Sequence, residues 1–178
     1  MYYTGIGSRE TPDDVLELMS KLSKFWAEKG WILRSGHADG ADMAFESAAY
    51  YAEGKAEIFL PWKTFNNDEI YYSPRLEEPE EWTYEIAAHY HPAWNYIKWG
   101  AQKLHARNVH QVLGLAPLSP SSDFVCCWTK DGKSGGGTGQ AIRIAKGYNI
   151  PVYDLGNSNI RNGFEYGIKR YQVGGWFI

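Results

Sequence analysis

The chain has 178 residues and a formal net charge of −3, and 44% of its residues are hydrophobic and 22% charged. This length is enough to bury one complete core without disulfides or metal, which predicts a single domain over residues 1–178. The negative charge argues against a protein that grips long DNA through a broadly basic surface.

The N-terminal sequence lacks the pattern of a signal peptide, and no apolar run reaches the length of a membrane span. The two cysteines, Cys126 and Cys127, are adjacent, so on one strand they would point to opposite faces and stay unbridged. We therefore expect a cytoplasmic protein that does not associate with membranes.

Strands and helices alternate in the first sixty residues. A strand over Met1–Ile6 is followed by a helix that the Thr11 hydroxyl caps and Gly30 ends. A second strand, a second helix and a third strand follow, over Trp31–Ser35, Ala41–Glu53 and Ala56–Leu60. This alternation predicts an α/β protein with a parallel sheet.

The middle of the chain has a different composition. Residues 61–100 hold ten aromatic residues and three prolines after Pro61, which predicts an insertion that begins as a loop and ends as a helix. The insertion could provide core and dimer packing, a lid over a base, or a platform for single-stranded nucleic acid. The first reading is favoured, and with it a homo-oligomer.

The alternation resumes after the insertion. The predicted elements are a helix, a doubly buried strand, a Gly-rich turn, a helix and a strand, over Gln102–Leu113, Asp123–Trp128, Lys130–Gly139, Gln140–Tyr148 and Pro151–Leu155. The tail from Gly156 to Ile178 has no clear assignment.

Three glycine-containing turns follow three of the predicted strands, over Gly5–Arg9, Ser35–Asp42 and Ser134–Gly139. In an open parallel sheet these turns meet at the carboxyl edge, where ligands bind. Glycines let the backbone approach a ligand, and helix N-termini present unpaired N–H groups to anions. The three turns together predict a site for a nucleotide-type phosphate.

The third turn, SGGGTGQ, matches neither the P-loop nor the dinucleotide fingerprint. We expect it to hold phosphate through backbone N–H groups, and we expect Gly137 to need a positive φ. Arg9 would clamp a phosphate, unless it pairs with Glu10 or Asp42. The candidate ligand-binding residues in the three turns are Gly7, Ser8, Arg9, Ser35, Gly36, His37, Asp42, Gly135, Gly136, Gly137, Thr138, Gly139 and Gln140.

Acidic residues of the second turn leave two interpretations open. Asp39 is expected to cap the second helix, whereas Asp42 could cap it or accept a hydrogen bond from a ribose hydroxyl. Glu46 lies one turn beyond Asp42, so the two carboxylates could also act as a general acid and base. The five histidines and the acidic residues lack the spacing of metal ligands, and neither metal nor cofactor is expected.

Four blocks in this order, YTGIGSRETP, RSGHADGAD, HARNVHQVLG and SGGGTGQAIRIAKGYNIPVYDL, resemble the SLOG superfamily. That group includes DNA-processing protein A and the Lonely Guy hydrolases, and this chain is most similar to small DNA-processing-A-like proteins of the kind seen in phage genomes. The resemblance covers Met1–Leu60 and about His105–Leu155. It implies a Rossmann-like, three-layer open parallel sheet with an aromatic-rich helical insertion.

The resemblance also implies site residues. Arg107 matches a catalytic arginine of the Lonely Guy enzymes, and the pair Arg107–Asn108 fits DNA-processing protein A as well. Where those enzymes carry a glutamate after the Gly-rich turn, this chain has Arg143. The departure argues against nucleotide hydrolysis and leaves Arg107, Asp42 and Glu46 as the candidate catalytic residues.

Three functions follow as hypotheses. The first is a non-catalytic module that senses or sequesters a nucleotide or a nucleotide-derived molecule, with ADP-ribose-type signals among the candidates. The second is an N-glycosidic hydrolase acting on nucleoside monophosphates, of the phosphoribohydrolase type. The third is a recombination mediator that binds single-stranded DNA, which the net charge of −3 disfavours.

Overall fold

Six parallel strands form one open sheet in the computed structural model, which describes residues 1–66, 75–116, 119–130 and 135–174. The strands are β1 (Tyr2–Gly5), β2 (Ile32–Ser35), β3 (Lys55–Phe59), β4 (Arg75–Leu76), β5 (Phe124–Cys127) and β6 (Val152–Asp154). Their order across the sheet is β4-β3-β2-β1-β5-β6, and every neighbouring pair is parallel. The predicted α/β fold with a parallel sheet is confirmed.

Helices cover both faces of this sheet, which gives the predicted three layers. They are α1 (Asp13–Glu28), α2 (Ala41–Tyr51), α3 (Glu81–His89), α4 (Trp99–Leu113), α5 (Gly136–Gly147) and α6 (Ser158–Gln172), with a short 3-10 turn at Trp94–Tyr96. Helices α1, α2 and α6 pack on one face, and α3, α4 and α5 pack on the other. No described helix combines the length and apolar character needed to cross a bilayer.

Aromatic rings fill the core on the α1, α2 and α6 side. Trp26 lies at its centre, with ring centroids 4.7 Å from Tyr3 and 5.1 Å from Phe124. Phe45 of α2 packs against the same cluster, 6.4 Å from Trp26. Because β1 and β2 bury three of their four residues each, and β5 buries all four, large side chains can fill the space between helices and sheet without voids.

The aromatic-rich segment joins the core on the opposite face. Trp82, Tyr84, Tyr90 and Trp94 pack against a cluster built by α4, α5 and β5. Helix α3 thus completes the second helical layer, and β4 adds a short strand at the sheet edge that the sequence did not predict. Residues 67–74 of the predicted insertion lie outside the described residues.

Several local predictions need correction. Thr11 does not cap α1, because its hydroxyl donates to the Ser8 carbonyl over 2.7 Å and the helix begins after Pro12. Helix α5 begins at Gly136, four residues earlier than predicted, so most of the described Gly-rich segment forms its first turn. The unassigned tail forms α6, which the Asn157 side chain caps. Cys126 and Cys127 are buried and unbridged, as predicted.

Candidate functional site

A cleft of about 630 Å³ opens at the carboxyl edge of the sheet. It lies above β1, which has β2 on one side and β5 on the other, so the strand order reverses there. Its walls come from residues 6–10 after β1, residues 128–130 after β5, residues 135–138 at the start of α5, and one side of α4. Open α/β sheets bind ligands at such a reversal, and this cleft is therefore the candidate site.

Most of the predicted ligand-binding residues line this cleft. They are Gly7, Ser8, Arg9, Asp42, Arg107, Asn108, Gly135, Gly136, Gly137 and Thr138. Six other candidate residues stand behind its walls, namely Ser35, Gly36, His37, Glu46, Gly139 and Gln140. Ser134, the first residue of the third predicted turn, lies outside the described residues.

The N-terminus of α5 forms one wall. Gly135 precedes the helix in an extended conformation, and no side chain of the described residues caps the first turn. Gly136 has a φ of +59°, so the position that favours glycine is Gly136 and not Gly137. The first N–H groups of a helix have no intrahelical acceptor and carry the positive end of the helix dipole. This wall can therefore hold an anion.

Arg107 of α4 forms the opposite wall and is only 5% exposed. One terminal nitrogen donates to the Gly36 carbonyl and lies 3.8 Å from Asp42 Oδ2, while the guanidinium sits 5.6 Å from the centre of the Phe65 ring. Its Nε has no hydrogen-bond partner among the described residues. Burial lowers the pKa of Arg107, and the charge of Asp42 opposes that effect.

Gly36 leaves room for this arginine. A Cβ at that position would lie 1.5 Å from the Arg107 terminal nitrogen, so no other residue fits beneath the guanidinium. Gly36 therefore contributes to the site by letting the guanidinium approach its backbone and by accepting a hydrogen bond at its carbonyl, while Arg107 covers its own surface. The pairing of a turn glycine with an arginine 71 residues away could not be read from local sequence.

Asp42 is a buried carboxylate at the floor of the cleft. Its Oδ2 accepts from Ala38 N and from Gln111 Nε2, each over 3.5 Å. Burial raises the pKa of Asp42 to about 6, against the lowering effect of Arg107, and Glu46 raises it further. Gly40 occupies the cap position of α2 and no side chain caps the helix, so neither predicted carboxylate acts as a cap.

Glu46 supports the second turn from behind. One carboxylate oxygen accepts from His37 N and the other lies 2.8 Å from His37 Nδ1. This clamp holds His37 at a φ of +57°, an uncommon conformation for a residue with a side chain. Asp39 is exposed and accepts from Asn66 Nδ2, and Ser35 donates to the Gly5 carbonyl. These side chains build the turn and do not line the cleft.

A polar network joins α4 to α5. Asn108 Nδ2 donates to the Gly137 carbonyl over 3.2 Å and to Gln140 Oε1 over 3.1 Å. Gln140 Nε2 donates to the Ala87 carbonyl, so Gln140 Oε1 is left to accept from His105 Nδ1. Gln140 is therefore a buried scaffold residue, and His105, which the sequence did not suggest, lines the cleft. The pKa of His105 is lowered, mainly by burial.

The charge at the cleft is mixed. Arg9, Arg107 and Lys130 line it together with Glu10 and Asp42. In the described residues Arg9 forms no ion pair with Glu10 or Asp42, and its exposed side chain stands at the mouth. No cluster of three or more potential metal ligands occurs within the same part of the chain.

Arg143, which stands where the Lonely Guy enzymes carry a glutamate, lies outside the cleft. Its Nε donates to the Tyr90 carbonyl over 2.8 Å, so the side chain joins α5 to the C-terminal end of α3. No carboxylate of α5 faces Arg107 in consequence, because the described part of this helix contains none.

Comparison with known proteins finds no matching family model and no matching curated protein. Two solved structures are similar. DNA processing protein A from Helicobacter pylori, described for its single-stranded DNA binding mode, is 21% identical with a TM-score of 0.56. DNA processing protein A from Streptococcus pneumoniae is 17% identical with a TM-score of 0.52. The chain has a fold like that of DNA processing protein A.

Each structural match covers most of this chain but less than two thirds of the DNA processing protein A chain. It covers 86% of this chain and 64% of the Helicobacter protein, and 99% of this chain and 57% of the Streptococcus protein. At these identities the likeness shows a Rossmann-type fold alone.

Proposed function

We propose that the chain binds the phosphate of a nucleotide-type small molecule in the cleft above β1, and so senses or sequesters that molecule. The observation that carries the proposal is the convergence of two groups suited to anions. The N-terminus of α5, which no described side chain caps, and the buried guanidinium of Arg107 both line the same cleft.

Each group supplies a different part of phosphate recognition. Backbone N–H groups at the start of α5 would bond the phosphate oxygens without requiring a cationic side chain. Arg107, which lines the same cleft, would add a charge-assisted bond from its guanidinium. Asn108 donates to the Gly137 carbonyl and so holds the N-terminus of α5 against α4, the helix that carries Arg107.

The size and polarity of the cleft fit a mononucleotide better than a long polymer. Ligand pockets for small molecules commonly hold about 300–1,000 Å³, and this cleft of about 630 Å³ lies within that range. Two of its charged residues, Glu10 and Asp42, are acidic, which is unfavourable for a continuous run of phosphates.

The test begins with the protein as purified. Denaturing it and identifying released molecules by mass spectrometry would reveal a tightly held nucleotide without a choice of candidate. Calorimetric titration with nucleoside mono- and diphosphates and with ADP-ribose then measures affinity directly. The proposal is supported if binding is saturable and if one phosphate ligand competes with another. It is overturned if no nucleotide is released and no compound binds.

Single-stranded DNA binding is the second candidate. It is favoured by the fold likeness to a protein described as binding single-stranded DNA, and by exposed aromatic side chains. Tyr96 is 91% exposed and Trp99, at the start of α4, is 60% exposed. A strand could lay one phosphate in the cleft and stack its bases on such rings. The salt dependence of binding separates the two candidates.

Hydrolysis of the N-glycosidic bond is supported by one feature, the presence of Arg107 and Asp42 in one cleft at 3.8 Å. The glutamate implied by the resemblance is replaced by Arg143, which bonds Tyr90 away from the cleft. Incubation with each nucleoside monophosphate and chromatography for free base tests it. We expect no base above the level of an enzyme-free control.

A further inference from the structure

Asp42 is the one carboxylate at the floor of the cleft among the described residues that line it, and a phosphate would be repelled by it. It is 3% exposed, so water screens its charge poorly. The cleft therefore has two unlike regions, an anion-binding wall at α5 and an acceptor at Asp42. A ligand that fills both must carry a phosphate and a hydrogen-bond donor.

The carboxylate has acceptor capacity left. Its contacts to Ala38 N, Gln111 Nε2 and the Arg107 guanidinium are all long, between 3.5 and 3.8 Å, and Gly7 adds a backbone hydrogen bond. A carboxylate offers about four acceptor sites, and buried ones normally form shorter bonds. The raised pKa of Asp42 agrees with this shortfall, because its protein partners do not offset burial.

The hydrogen-bond donor that faces Asp42 must lie near the phosphate of the ligand, closer to it than a nucleobase lies. Arg107 lies 3.8 Å from Asp42 and is one of the two groups assigned to the phosphate, so the part of the ligand beside Asp42 is next to its phosphate. In a nucleoside 5′-monophosphate that part is the ribose, whose hydroxyls donate hydrogen bonds. The base is attached at the far side of the sugar.

We propose that Asp42 is a specificity-determining residue whose carboxylate accepts a hydrogen bond from the 2′-hydroxyl of a ribose, so that the cleft selects ribonucleotides over 2′-deoxyribonucleotides. The inference rests on the proposed phosphate site. It concerns the sugar only, and a hydroxyl at the 2′ position distinguishes RNA-type from DNA-type ligands.

The experiment compares the four common ribonucleoside 5′-monophosphates with their 2′-deoxy counterparts by calorimetry at pH 8, where both Asp42 and the phosphates are ionised. We expect the ribo form to bind about ten- to a hundredfold more tightly, the range for a hydrogen bond to a charged group. Ribose 5-phosphate and 2-deoxyribose 5-phosphate repeat the comparison without a base, and the preference should persist.

Asp42→Asn should weaken binding of the ribonucleotide and leave binding of the deoxynucleotide unchanged or stronger, because a charge near the phosphate is removed. A purely structural role of Asp42 would weaken both ligands equally. Asp39→Asn is the matched control, since it makes the same change in the same turn on an exposed residue outside the cleft. This control should keep the wild-type preference.

The outcomes separate the two proposals. Equal affinity of wild-type protein for ribo and deoxy ligands overturns the role of Asp42 and leaves the phosphate site standing. Equal binding of ribose 5-phosphate and 2-deoxyribose 5-phosphate, with a preference kept among the nucleotides, would show that the sugar hydroxyl alone does not determine the selection and would overturn the inference as well. No binding of any compound overturns the proposed function itself. The wild-type comparison decides the matter even where Asp42→Asn fails to fold.

Discussion

The two helical layers bury different kinds of side chain. On the α1, α2 and α6 side, Trp26, Phe45 and Phe124 pack ring against ring. On the other side, the second half of α4 is entirely buried, yet four of its residues there are polar or charged, namely Arg107, Asn108, His110 and Gln111.

Buried polar groups destabilise a fold by about 1–3 kcal/mol each when they lack partners, so the sequence must supply acceptors and donors for them. Most of those partners are backbone groups: His110 Nδ1 bonds the Gly114 carbonyl, Asn108 bonds that of Gly137, and Arg107 bonds that of Gly36. Three of the four polar residues also line the cleft. The aromatic core around Trp26 lies outside the cleft, so substitutions there and substitutions at the polar residues of α4 can perturb stability and ligand binding separately.

Trp26→Ala should have the largest effect. Trp26 is 2% exposed in the aromatic core, and removal of a large buried ring costs about 3–5 kcal/mol of unfolding free energy. Chemical denaturation measures this loss. Where the variant still folds, nucleotide affinity should stay within about twofold of the wild type, because Trp26 lies outside the cleft.

Trp99→Ala is the control for that prediction. Trp99 belongs to the other layer and is 60% exposed, so its loss should cost less than about 1 kcal/mol. Equal destabilisation by the two substitutions would contradict the expectation that the loss at Trp26 comes from its burial in the aromatic core.

Gly137→Val should abolish phosphate binding, with a loss of about a hundredfold or more. A Cβ at Gly137 would meet only Asn108 Nδ2, at 3.6 Å, so the added side chain fits the fold but occupies the anion-binding wall. Gly163→Val makes the same change on α6, where a Cβ would meet nothing within 4 Å, and should leave binding intact. Undiminished affinity in folded Gly137→Val would remove α5 from the site.

The strand and helix order could be predicted from sequence because it depends on local periodicity. The apolar run at Phe124–Cys127 and the spacing of Val15, Met19, Leu22 and Trp26 reflect burial directly. The two-residue strand β4 could not be predicted, since it exists only by pairing with Ile58 and Phe59. Helix α5 begins four residues earlier than predicted, because its first turn contains three glycines in four residues, a composition that is typical of a loop.

The sequence predicted that the three turns meet at the carboxyl edge of the sheet, and they border the cleft there, because turns after parallel strands lie at one edge. Which residues face the ligand could not be predicted in the same way. Gln140 and Glu46 have the chemistry of ligand-binding residues, but bonds to Ala87 and His37 hold them in the walls. His105 gave no local signal, because its position in the cleft follows from its bond to Gln140, 35 residues away.

Arg107→Ala should weaken nucleotide binding by about 1.5–3 kcal/mol, the range for a hydrogen bond to a charged group. Arg107→Lys should restore only part of the affinity, because an ammonium cannot form the bidentate contact of a guanidinium. Arg161→Ala is a control on the α1, α2 and α6 side, where Arg161 pairs with Asp14 and Glu165, and it should leave nucleotide affinity unchanged. Calorimetry on the three variants measures the effect, and equal affinity of wild type and Arg107→Ala would make this arginine structural.

Salt dependence should give the smallest effect and distinguishes a small-molecule cleft from a DNA groove. A protein that grips several phosphates of a single strand loses affinity with a slope of about −0.7 per contact in a plot of log affinity against log salt. Arg9 and Lys130 line the cleft beside the acidic Glu10 and Asp42, and the basic residues of α4 and α5 mostly lie elsewhere. Lys103 pairs with Glu78 and Arg143 bonds the Tyr90 carbonyl, which leaves Arg107 as the one of these that lines the cleft.

We therefore expect a shallow slope for a mononucleotide, corresponding to about one or two contacts, and weak binding of a short oligonucleotide at physiological salt. Fluorescence anisotropy with a labelled single strand, measured from 50 to 300 mM salt, provides the comparison. Trp99→Ala and Arg107→Ala then locate the contacts. If a single strand runs over the exposed aromatics, both substitutions should weaken its binding. Of the two, only Arg107→Ala should weaken the binding of a mononucleotide. Sub-micromolar, steeply salt-dependent binding of the strand would make the α3, α4 and α5 side of the molecule a DNA interface, with the mononucleotide site as a part of it.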